Sequence, residues 1–235
     1  MTTPMNTPTA PLGSANHFDA AATTWDENPR RRKMAVKVAR AIVRRAGLRP
    51  EWDLIDFGRG TGLLGLALLP HVRSVTGGDS SRGMLDILQA KIDAAGLSNM
   101  RTLLFDFDRD EPQGLAFDVI TMNLVLHHLK DIDRAIATCR RMLRPGGIVC
   151  IADLDTEPGT FHEDGAEHVH HHGFDRSELK SHLGDHGFTA PCDETVYVIE
   201  KPDKTGTARK YPVFLVTAIC GGTERGFTGP SFSLS

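Results

Sequence analysis

The sequence predicts an α/β protein whose core is a doubly wound sheet of about seven strands, mostly parallel with a C-terminal antiparallel hairpin. Three observations lead to this fold class. Apolar runs of strand length alternate with segments that repeat apolar residues at helical spacing. Glycine- or proline-containing stretches separate the runs. The last two β-rich runs follow each other without a helix between them, which indicates a hairpin with one antiparallel strand.

The predicted strands are apolar runs that end at turn residues or acids. They cover roughly residues 53–57, 73–77, 100–105, 117–122, 148–152, 195–199 and 213–218. The first predicted helix begins at residues 28–29, a capping asparagine followed by proline, and ends before Gly47. Its apolar stripe consists of Met34, Val38 and Ile42. Later helices are predicted over roughly residues 63–70, 81–95, 132–143 and 175–183.

Length and composition are those of one soluble domain. The chain has 235 residues, of which 40% are hydrophobic and 24% charged, and its formal net charge of −3 argues against a whole-surface nucleic-acid binder. Four cysteines without CxxC spacing fit reduced thiols in the cytoplasm. No apolar run approaches the roughly 18 residues of a membrane span. We expect a disordered tail over residues 1–16, a domain over 17–220 that begins with a helical lid (17–47), and a tail over 221–235.

The most informative pattern joins a glycine turn to two acids. Asp56 ends the first strand, residues 58–62 read Gly-Arg-Gly-Thr-Gly, and Asp79 ends the second strand. Glycines allow a ligand to approach the backbone closely. A carboxylate in the place of Asp79 can accept hydrogen bonds from both hydroxyls of a ribose. The pattern therefore predicts a site for a nucleoside cofactor.

Two cofactors are open at this point. Residues 60–65 read Gly-Thr-Gly-Leu-Leu-Gly, a GxGxxG that with Asp79 allows an NAD-binding interpretation. Asp56 argues against it, because an acid there would repel a pyrophosphate but can help to hold an ammonium group. Asp106 ends the third strand, where it can meet an adenine amino group. The hairpin ending also differs from the usual dinucleotide pattern.

With these motifs the chain resembles the class I S-adenosylmethionine (SAM)-dependent methyltransferases, and the resemblance implies a Rossmann-like sheet. Residues 54–62 match the family's first motif, and residues 77–84, with Asp79, Ser81 and Met84, match its ribose-binding motif. Residues 117–129 resemble the block around the fourth strand, and 141–147 the segment before the fifth. The resemblance runs from about residue 18 to residue 218, in the order and spacing of the family.

The resemblance implies a role for each matching residue. The glycines of the turn would pass against the methionine portion of SAM, with Asp56 close by, and Asp79 would hold the ribose hydroxyls. Asp106, with Phe107, would meet the adenine, and the backbone of Met122 or Asn123 would receive the amino group. The expected cofactor-binding set is Asp56, Gly58, Gly60, Gly62, Asp79, Ser80, Met84, Asp106, Phe107, Met122 and Asn123. Two departures from the family pattern are Arg59 in the turn, which can pair with the cofactor carboxylate or face solvent, and Gly78.

Histidines are the candidates for chemistry on the methyl acceptor. His127 and His128 follow the fourth strand, and His171 and His172 belong to a histidine-rich connection after the fifth. In open α/β sheets ligands bind outside the carboxyl ends of strands, so any of the four can be a general base. The alternative is that they cap or pack these loops. We expect no metal, because no standard ligand spacing is present; the weak candidates are His162, His168 and His170.

The sequence thus predicts a cytoplasmic SAM-dependent methyltransferase that transfers a methyl group to a small-molecule acceptor and releases S-adenosylhomocysteine. It is expected to be a monomer or homodimer, without a membrane partner. Residues 123–126 read Asn-Leu-Val-Leu, not the Asn-Pro-Pro-Tyr type of motif that the resemblance associates with amino methylation of nucleic acids, so a nucleic-acid substrate is not expected. The alternatives are an NAD-dependent oxidoreductase and a non-catalytic SAM- or nucleic-acid-binding regulator.

Overall fold

The computed structural model of the chain describes residues 26–58, 61–162, 168–203 and 206–222. Gly60, Arg59, residues 1–25 and residues 223–235 lie outside the described residues. The predictions made for Gly60, the first part of the lid and the two tails therefore stay predictions.

Seven strands form one sheet in the order β3-β2-β1-β4-β5-β7-β6. Neighbours from β3 to β5 are parallel, whereas β7 runs antiparallel to both β5 and β6. The predicted fold class, a mostly parallel doubly wound sheet with a C-terminal antiparallel hairpin, is confirmed. The strands are β1 (Asp53–Phe57), β2 (Ser74–Asp79), β3 (Met100–Leu104), β4 (Phe117–Asn123), β5 (Leu143–Leu154), β6 (Phe188–Pro202) and β7 (Ala208–Cys220).

Four of the five described α-helices begin after a residue whose side chain caps the helix. Asn28 accepts a hydrogen bond from the Arg30 N–H at 3.0 Å, and Ser81 accepts one from the Met84 N–H at 3.1 Å. The α-helices of the described residues are α1 (Pro29–Ala46), α2 (Leu63–Leu68), α3 (Arg82–Ala95), α4 (Ile132–Met142) and α5 (Arg176–Asp185). Short 3-10 helices cover Leu69–His71 and Leu126–His128.

Two strands are longer than the sequence predicts. The predicted fifth strand begins at residue 148, but β5 already begins at Leu143, which pairs with Phe117 before an irregularity in the register. The predicted sixth strand begins at residue 195, but β6 begins at Phe188. The first half of β6 lacks a continuous apolar pattern and is largely exposed, as expected for a strand at one edge of the sheet. Backbone pairing with β7 extends the strand through these residues.

The sheet has an apolar layer on each face. Residues that alternate along a strand point to opposite layers, so Leu54 packs with α1, α2 and α3, whereas Ile55 packs with α4 and α5. Because both faces are covered, the central strands read as continuous apolar runs. The predicted stripe of the first helix, Met34, Val38 and Ile42, is buried in the first layer. Because β1, β2, β4 and β5 are parallel, their carboxyl ends lie at the same end of the sheet, which is called the carboxyl edge below.

Gly78 in β2 is explained by the packing of an aromatic ring. A Cβ at this position would lie 2.6 Å from Cε1 and 2.7 Å from Cδ1 of Phe57. The Phe57 ring in turn packs against Phe105 and Phe107, at centroid distances of 5.4 and 4.7 Å. A ring held on several sides cannot give way as the end of a flexible side chain can.

Replacing Gly78 with alanine is expected to lower the free energy of unfolding by about 1–3 kcal/mol, because the added methyl group displaces a packed ring. Urea denaturation followed by circular dichroism measures this change. The matched control is Gly184→Ala in α5, where an added Cβ meets nothing within 4 Å. The control should gain about 0.5–1 kcal/mol from helix propensity. An unchanged midpoint for Gly78→Ala would contradict the packing argument.

Candidate functional site

The turn after β1 requires glycine at two described positions. Gly58 has a φ of +74°, and its N–H donates to the Gly78 carbonyl at 2.9 Å. A Cβ on Gly58 would lie 2.0 Å from Cγ2 of Val125, and one on Gly62, which has a φ of +77°, would lie 2.4 Å from Cδ1 of Leu88. Both the left-handed backbone and the lack of space exclude a side chain. The turn is thereby pressed against the segment that follows β4.

A narrow pocket lies beside this turn, with a volume of about 10 Å³. It is lined by Asp56, Gly58, Thr61 and Asn123 from the sheet edge and by residues of α1, among them Arg31 and Met34. Burial lowers the pKa of Arg31, an effect that nearby Asp26 opposes. The helix that the sequence assigns to the lid therefore forms one wall of the pocket.

Two buried polar atoms of this pocket lack a hydrogen-bond partner within the described part of the chain. They are Oγ1 of Thr61 and Oδ1 of Asn123. Leaving such atoms unpaired costs free energy, so in native proteins they usually mark a place where water or a ligand binds. The pocket suits a ligand group that donates hydrogen bonds. Asn123 was predicted to act through its backbone and not through this side-chain oxygen. Thr61 was not predicted, although its place between two glycines of the turn was a signal.

Asp56 lies near the carboxyl end of β1 and lines the narrow pocket. Its side chain is buried, and Oδ1 accepts a hydrogen bond from Oγ1 of Thr121 at 2.6 Å. Burial raises the pKa of Asp56 to about 7, with a further small increase from the negative charge of Asp79. The hydrogen bonds from Thr121 and from the backbone of Gly65 oppose this shift. Asp56 is therefore poised to become charged when a cation arrives, as an ammonium site requires.

Asp79 lies at the carboxyl end of β2, one strand away from Asp56, and is buried. Its Oδ1 accepts a hydrogen bond from the Ser81 N–H at 2.8 Å, which fixes the carboxylate at the start of α3. Ser80 lies between them and is partly buried. The side chain of Met84 is completely buried, so it can contribute to this site only by packing beneath the start of α3.

Asp106 and Phe107 follow β3, but their side chains are engaged in local structure. Oδ1 of Asp106 accepts from the Asp108 N–H at 2.9 Å, and its Oδ2 lies 3.6 Å from Nε of Arg109. The Phe107 ring is buried between Phe57 and Phe105. The ring therefore does not face the edge of the sheet, and a contact of Phe107 with an adenine can involve only backbone atoms.

The end of β4 carries backbone strain. Leu124 has a φ of +54°, a left-handed conformation that costs a residue with a side chain roughly 1–2 kcal/mol. Its N–H donates to the Ala152 carbonyl of β5 at 2.7 Å, which helps to hold the conformation. Met122 is buried and its sulfur lies 4.0 Å from Sγ of Cys139, so only its backbone reaches the edge. Strain of this kind is concentrated at functional sites.

Three histidines, His127, His128 and His162, lie close together near the loop that follows β4. His127 is fully buried, and its Nδ1 lies 2.6 Å from Oδ1 of Asp153, which is also fully buried. Nε2 of His127 lies 3.2 Å from Nε2 of His162, and the ring centroids of His127 and His128 are 4.0 Å apart. Asp153 was missed in the sequence, although an acid after the apolar run of β5 follows the same pattern as Asp56 and Asp79.

Other histidines of the connection after β5 contact this cluster through ring stacking or backbone hydrogen bonds. The His168 ring stacks on His128 at a centroid distance of 5.2 Å. The N–H groups of His170 and His171 donate to the His127 carbonyl, at 3.0 and 3.1 Å, and so support its loop. Burial lowers the pKa of His170, with help from the charge of Lys130.

His171 and His172 instead line a separate cavity of about 370 Å³ between the connection, α4 and α5. Nε2 of His171 lies 2.9 Å from the Leu129 carbonyl, and His172 is 62% exposed with Nδ1 at 3.5 Å from Glu157. The four predicted base candidates thus fall into two places. The predicted metal candidates also separate: His162 clusters with His127 and His128, whereas His168 and His170 are not among the three residues whose ligand atoms converge.

Comparison with known proteins finds a family match for the part of the chain that contains most of this site. Residues 55–149, which include the glycine turn, Asp79 and the loop after β4, match the protein family described as Methyltransferase domain. The matched residues cover less than half of the chain. In the described residues, no helix combines the length and apolar character needed to cross a membrane.

Two curated relatives resemble this domain in sequence. An uncharacterized methyltransferase of Schizosaccharomyces pombe is 30% identical over 136 residues, which is 52% of this chain and 48% of the relative. The ubiquinone biosynthesis O-methyltransferase of Alkalilimnicola ehrlichii is 30% identical over 160 residues, 61% of this chain and 60% of the relative. The chain thus spans between about half and three fifths of these relatives.

Two solved structures resemble it in fold. The YcgJ protein of Bacillus subtilis superposes with a TM-score of 0.65 at 16% identity, over 79% of this chain and 98% of that chain. Phosphoethanolamine N-methyltransferase 2 of Haemonchus contortus, solved with SAM, has a TM-score of 0.62 at 16% identity, over 78% of this chain and 52% of that chain. At such identity the likeness concerns the fold alone.

The pKa of Asp56 makes stability depend on pH. In the folded domain its pKa is about 7, against an ordinary value of 3.8, so the folded state binds more protons between these pH values. Stability therefore falls as pH rises from about 4 to about 7 and then levels off. Asp56→Asn removes the charge and should stabilise the protein by about 2–3 kcal/mol more at pH 8 than at pH 5.

Denaturant unfolding at the two pH values measures this difference. The matched control is Asp108→Asn, the same substitution at an exposed aspartate of the loop after β3. An equal gain for Asp56→Asn at pH 5 and pH 8 would contradict the raised pKa.

Proposed function

We propose that the chain is a SAM-dependent methyltransferase that methylates a small molecule, with SAM bound along the carboxyl ends of β1, β2 and β4. The observation that carries this proposal is the pocket beside the glycine turn. Its buried acceptor atoms, Oγ1 of Thr61 and Oδ1 of Asn123, lack partners in the described chain, and the carboxyl group of Asp56 lies with them. Together they suit an ammonium group, such as that of a methionine portion.

The other predicted residues would contact different parts of the cofactor at the ends of neighbouring strands. Asp79 would accept from the ribose hydroxyls while its hydrogen bond to Ser81 keeps it in place, and Ser80 lies beside it. Gly58 and Gly62 let the turn pack against Val125 and Leu88, and the resemblance implies that both, with Gly60, pass against the methionine portion. Asp106 and the backbone of Phe107 are the proposed adenine contacts, and Met122 and Asn123 offer backbone groups beside the ammonium site. Met84, which is completely buried, would support the site by packing and would not contact the cofactor.

Bound SAM would supply an electrophilic methyl group with its own leaving group, so the protein mainly has to align the acceptor with it. α1 forms a wall of the narrow pocket, which supports the proposed lid role of residues 17–47. Closing such a wall over the ligand excludes water and strengthens the interaction of Asp56 with a cation.

The acceptor is proposed to bind beside the loop after β4. Asp153 accepts a hydrogen bond from Nδ1–H of His127, so Nε2 of His127 keeps its lone pair and can take a proton from an acceptor or from a neighbouring group. A curated relative is named as an O-methyltransferase of ubiquinone biosynthesis, which supports an oxygen of a small molecule as the acceptor here. His171 and His172, which line the separate cavity, remain proposed contacts for the remote part of such a molecule.

The NAD hypothesis fits the pocket less well. A pyrophosphate at the glycine turn would face the Asp56 carboxyl group and the buried carbonyl oxygen of the Asn123 side chain, neither of which can donate a hydrogen bond to it when Asp56 is ionised. The nucleic-acid alternative lacks the strongly basic character that phosphate binding needs, since the net charge is −3.

S-adenosylhomocysteine is expected to raise the melting temperature of the protein, whereas NAD at the same concentration should not. Asp79→Asn keeps the acceptor for the Ser81 N–H but removes a charged partner of the ribose. It should weaken S-adenosylhomocysteine binding by about 10- to 100-fold, the loss expected for a hydrogen bond to a charged group. Isothermal titration calorimetry measures the affinity.

The control is Asp86→Asn, an exposed aspartate of α3 that should bind like the wild type. Stabilisation by NAD alone, or an unchanged affinity of Asp79→Asn, would overturn the assignment of the cofactor site. Mass spectrometry of a metabolite extract incubated with isotopically labelled SAM then identifies the acceptor, and labelling of RNA alone would contradict a small-molecule substrate.

A further inference from the structure

We propose that His127, His128 and His162 form a binding site for a divalent transition metal of the zinc type, with a position open to a hydroxyl or thiol of the methyl acceptor. One ligand atom from each of the three side chains lies within 4.8 Å of the others. Nε2 of His127 and Nε2 of His162 are 3.2 Å apart. Tetrahedral zinc with Zn–N distances of about 2.0–2.1 Å places its ligand atoms about 3.3 Å from one another.

The protonation of His127 is set for metal binding by Asp153. Oδ1 of Asp153 lies 2.6 Å from Nδ1 of His127 and also accepts from the Leu154 N–H at 2.8 Å. Oδ2 of Asp153 lies 3.3 Å from the His127 N–H. A carboxylate held in this way keeps the proton on Nδ1 and leaves the Nε2 lone pair for a metal. A carboxylate behind a ligating histidine is a recurrent feature of zinc sites.

His128 is oriented in the same manner by a backbone group. Its Nδ1 lies 2.9 Å from the carbonyl oxygen of His168. Because a carbonyl oxygen can only accept, Nδ1 of His128 carries the hydrogen and Nε2 carries the lone pair. Two of the three histidines are therefore fixed in the tautomer that ligates through Nε2. His127 is buried, whereas His128 and His162 are only partly buried.

The position of the cluster connects it to the proposed methyl transfer. His127 and His128 lie in the 3-10 helix Leu126–His128, which directly follows Val125, the residue pressed against Gly58 of the glycine turn. Asp153 lies near the end of β5, the strand beside β4. The cluster thus lies next to the proposed SAM site.

The acceptor part of this inference rests on the proposed function. A hydroxyl or thiol bound to a divalent cation loses its proton more easily, so the anion is present at neutral pH. With a metal bound, Nε2 of His127 would be a ligand and not the base, so the proton would leave to solvent. The oxygen or sulfur would form a bond to the methyl carbon, and the bond between that carbon and the sulfonium sulfur would break with its electron pair remaining on sulfur. The balance requires no further reactant.

Metal binding is tested on the full chain without an affinity tag. The protein is treated with a chelator, dialysed and titrated with Zn²⁺ or Co²⁺. We expect one equivalent of Zn²⁺ by mass spectrometry of the metal, a raised melting temperature, and with Co²⁺ the intense visible absorption of a tetrahedral site. His162→Gln, which alters a partly exposed ligand and spares the core, should weaken binding at least 10-fold. Asp153→Asn should weaken it about 10- to 100-fold.

The matched control is His186→Gln, a partly buried histidine that lies 3.1 Å from Asp133 outside the cluster, and it should bind metal like the wild type. Less than half an equivalent in the wild type, or equal affinity in the His162 and His186 variants, would overturn the proposal and leave an ordinary hydrogen bond between His127 and His162. The titration needs no cofactor. A protein that binds zinc at the cluster but is not stabilised by S-adenosylhomocysteine would retain the metal site and refute the proposed function.

Discussion

The turn after β1 and the segment after β4 are packed so closely that no side chain fits between them at Gly58. A Cβ there would lie 2.0 Å from Val125. This contact fixes the distance between the Asp56 pocket and the histidine cluster, because Val125 stands between Asn123, which lines the pocket, and His127. The left-handed backbone of Leu124 adds the change of direction that separates the two. The cofactor side and the acceptor side of the proposed reaction are thus set by one contact.

Two buried carboxyl groups at this edge are stabilised in different ways. Asp56 has a hydroxyl and a backbone group as hydrogen-bond partners, and burial raises its pKa to about 7. Asp153 accepts from Nδ1–H of His127 and from the backbone N–H groups of His127 and Leu154. The first arrangement leaves a carboxyl group ready for an incoming cation. The second uses a carboxylate to orient a histidine, so its role is exerted through His127.

The places of Asp56 and Asp79 on the proposed cofactor side could be predicted because their pattern is local. A strand ending in an acid, a glycine turn and a second strand ending in an acid all lie within residues 53–79, and the structure places Asp56 and Asp79 at neighbouring strand ends. The details depend on packing that sequence does not contain. The Phe107 ring turned out to be part of an aromatic cluster, and Thr61 joined Asn123 in one pocket.

The sequence by itself determined the fold class and the places of Asp56 and Asp79 at strand ends, because periodicity and turn chemistry act over short stretches of chain. The tertiary structure decided which of many similar histidines meet. His127 lies 26 residues from Asp153 and 35 from His162. Only the adjacency of β4 and β5, and the course of the connection after β5, bring the three together. Burial and fixed tautomers are consequences of that packing, so no local pattern could distinguish His127 from His171.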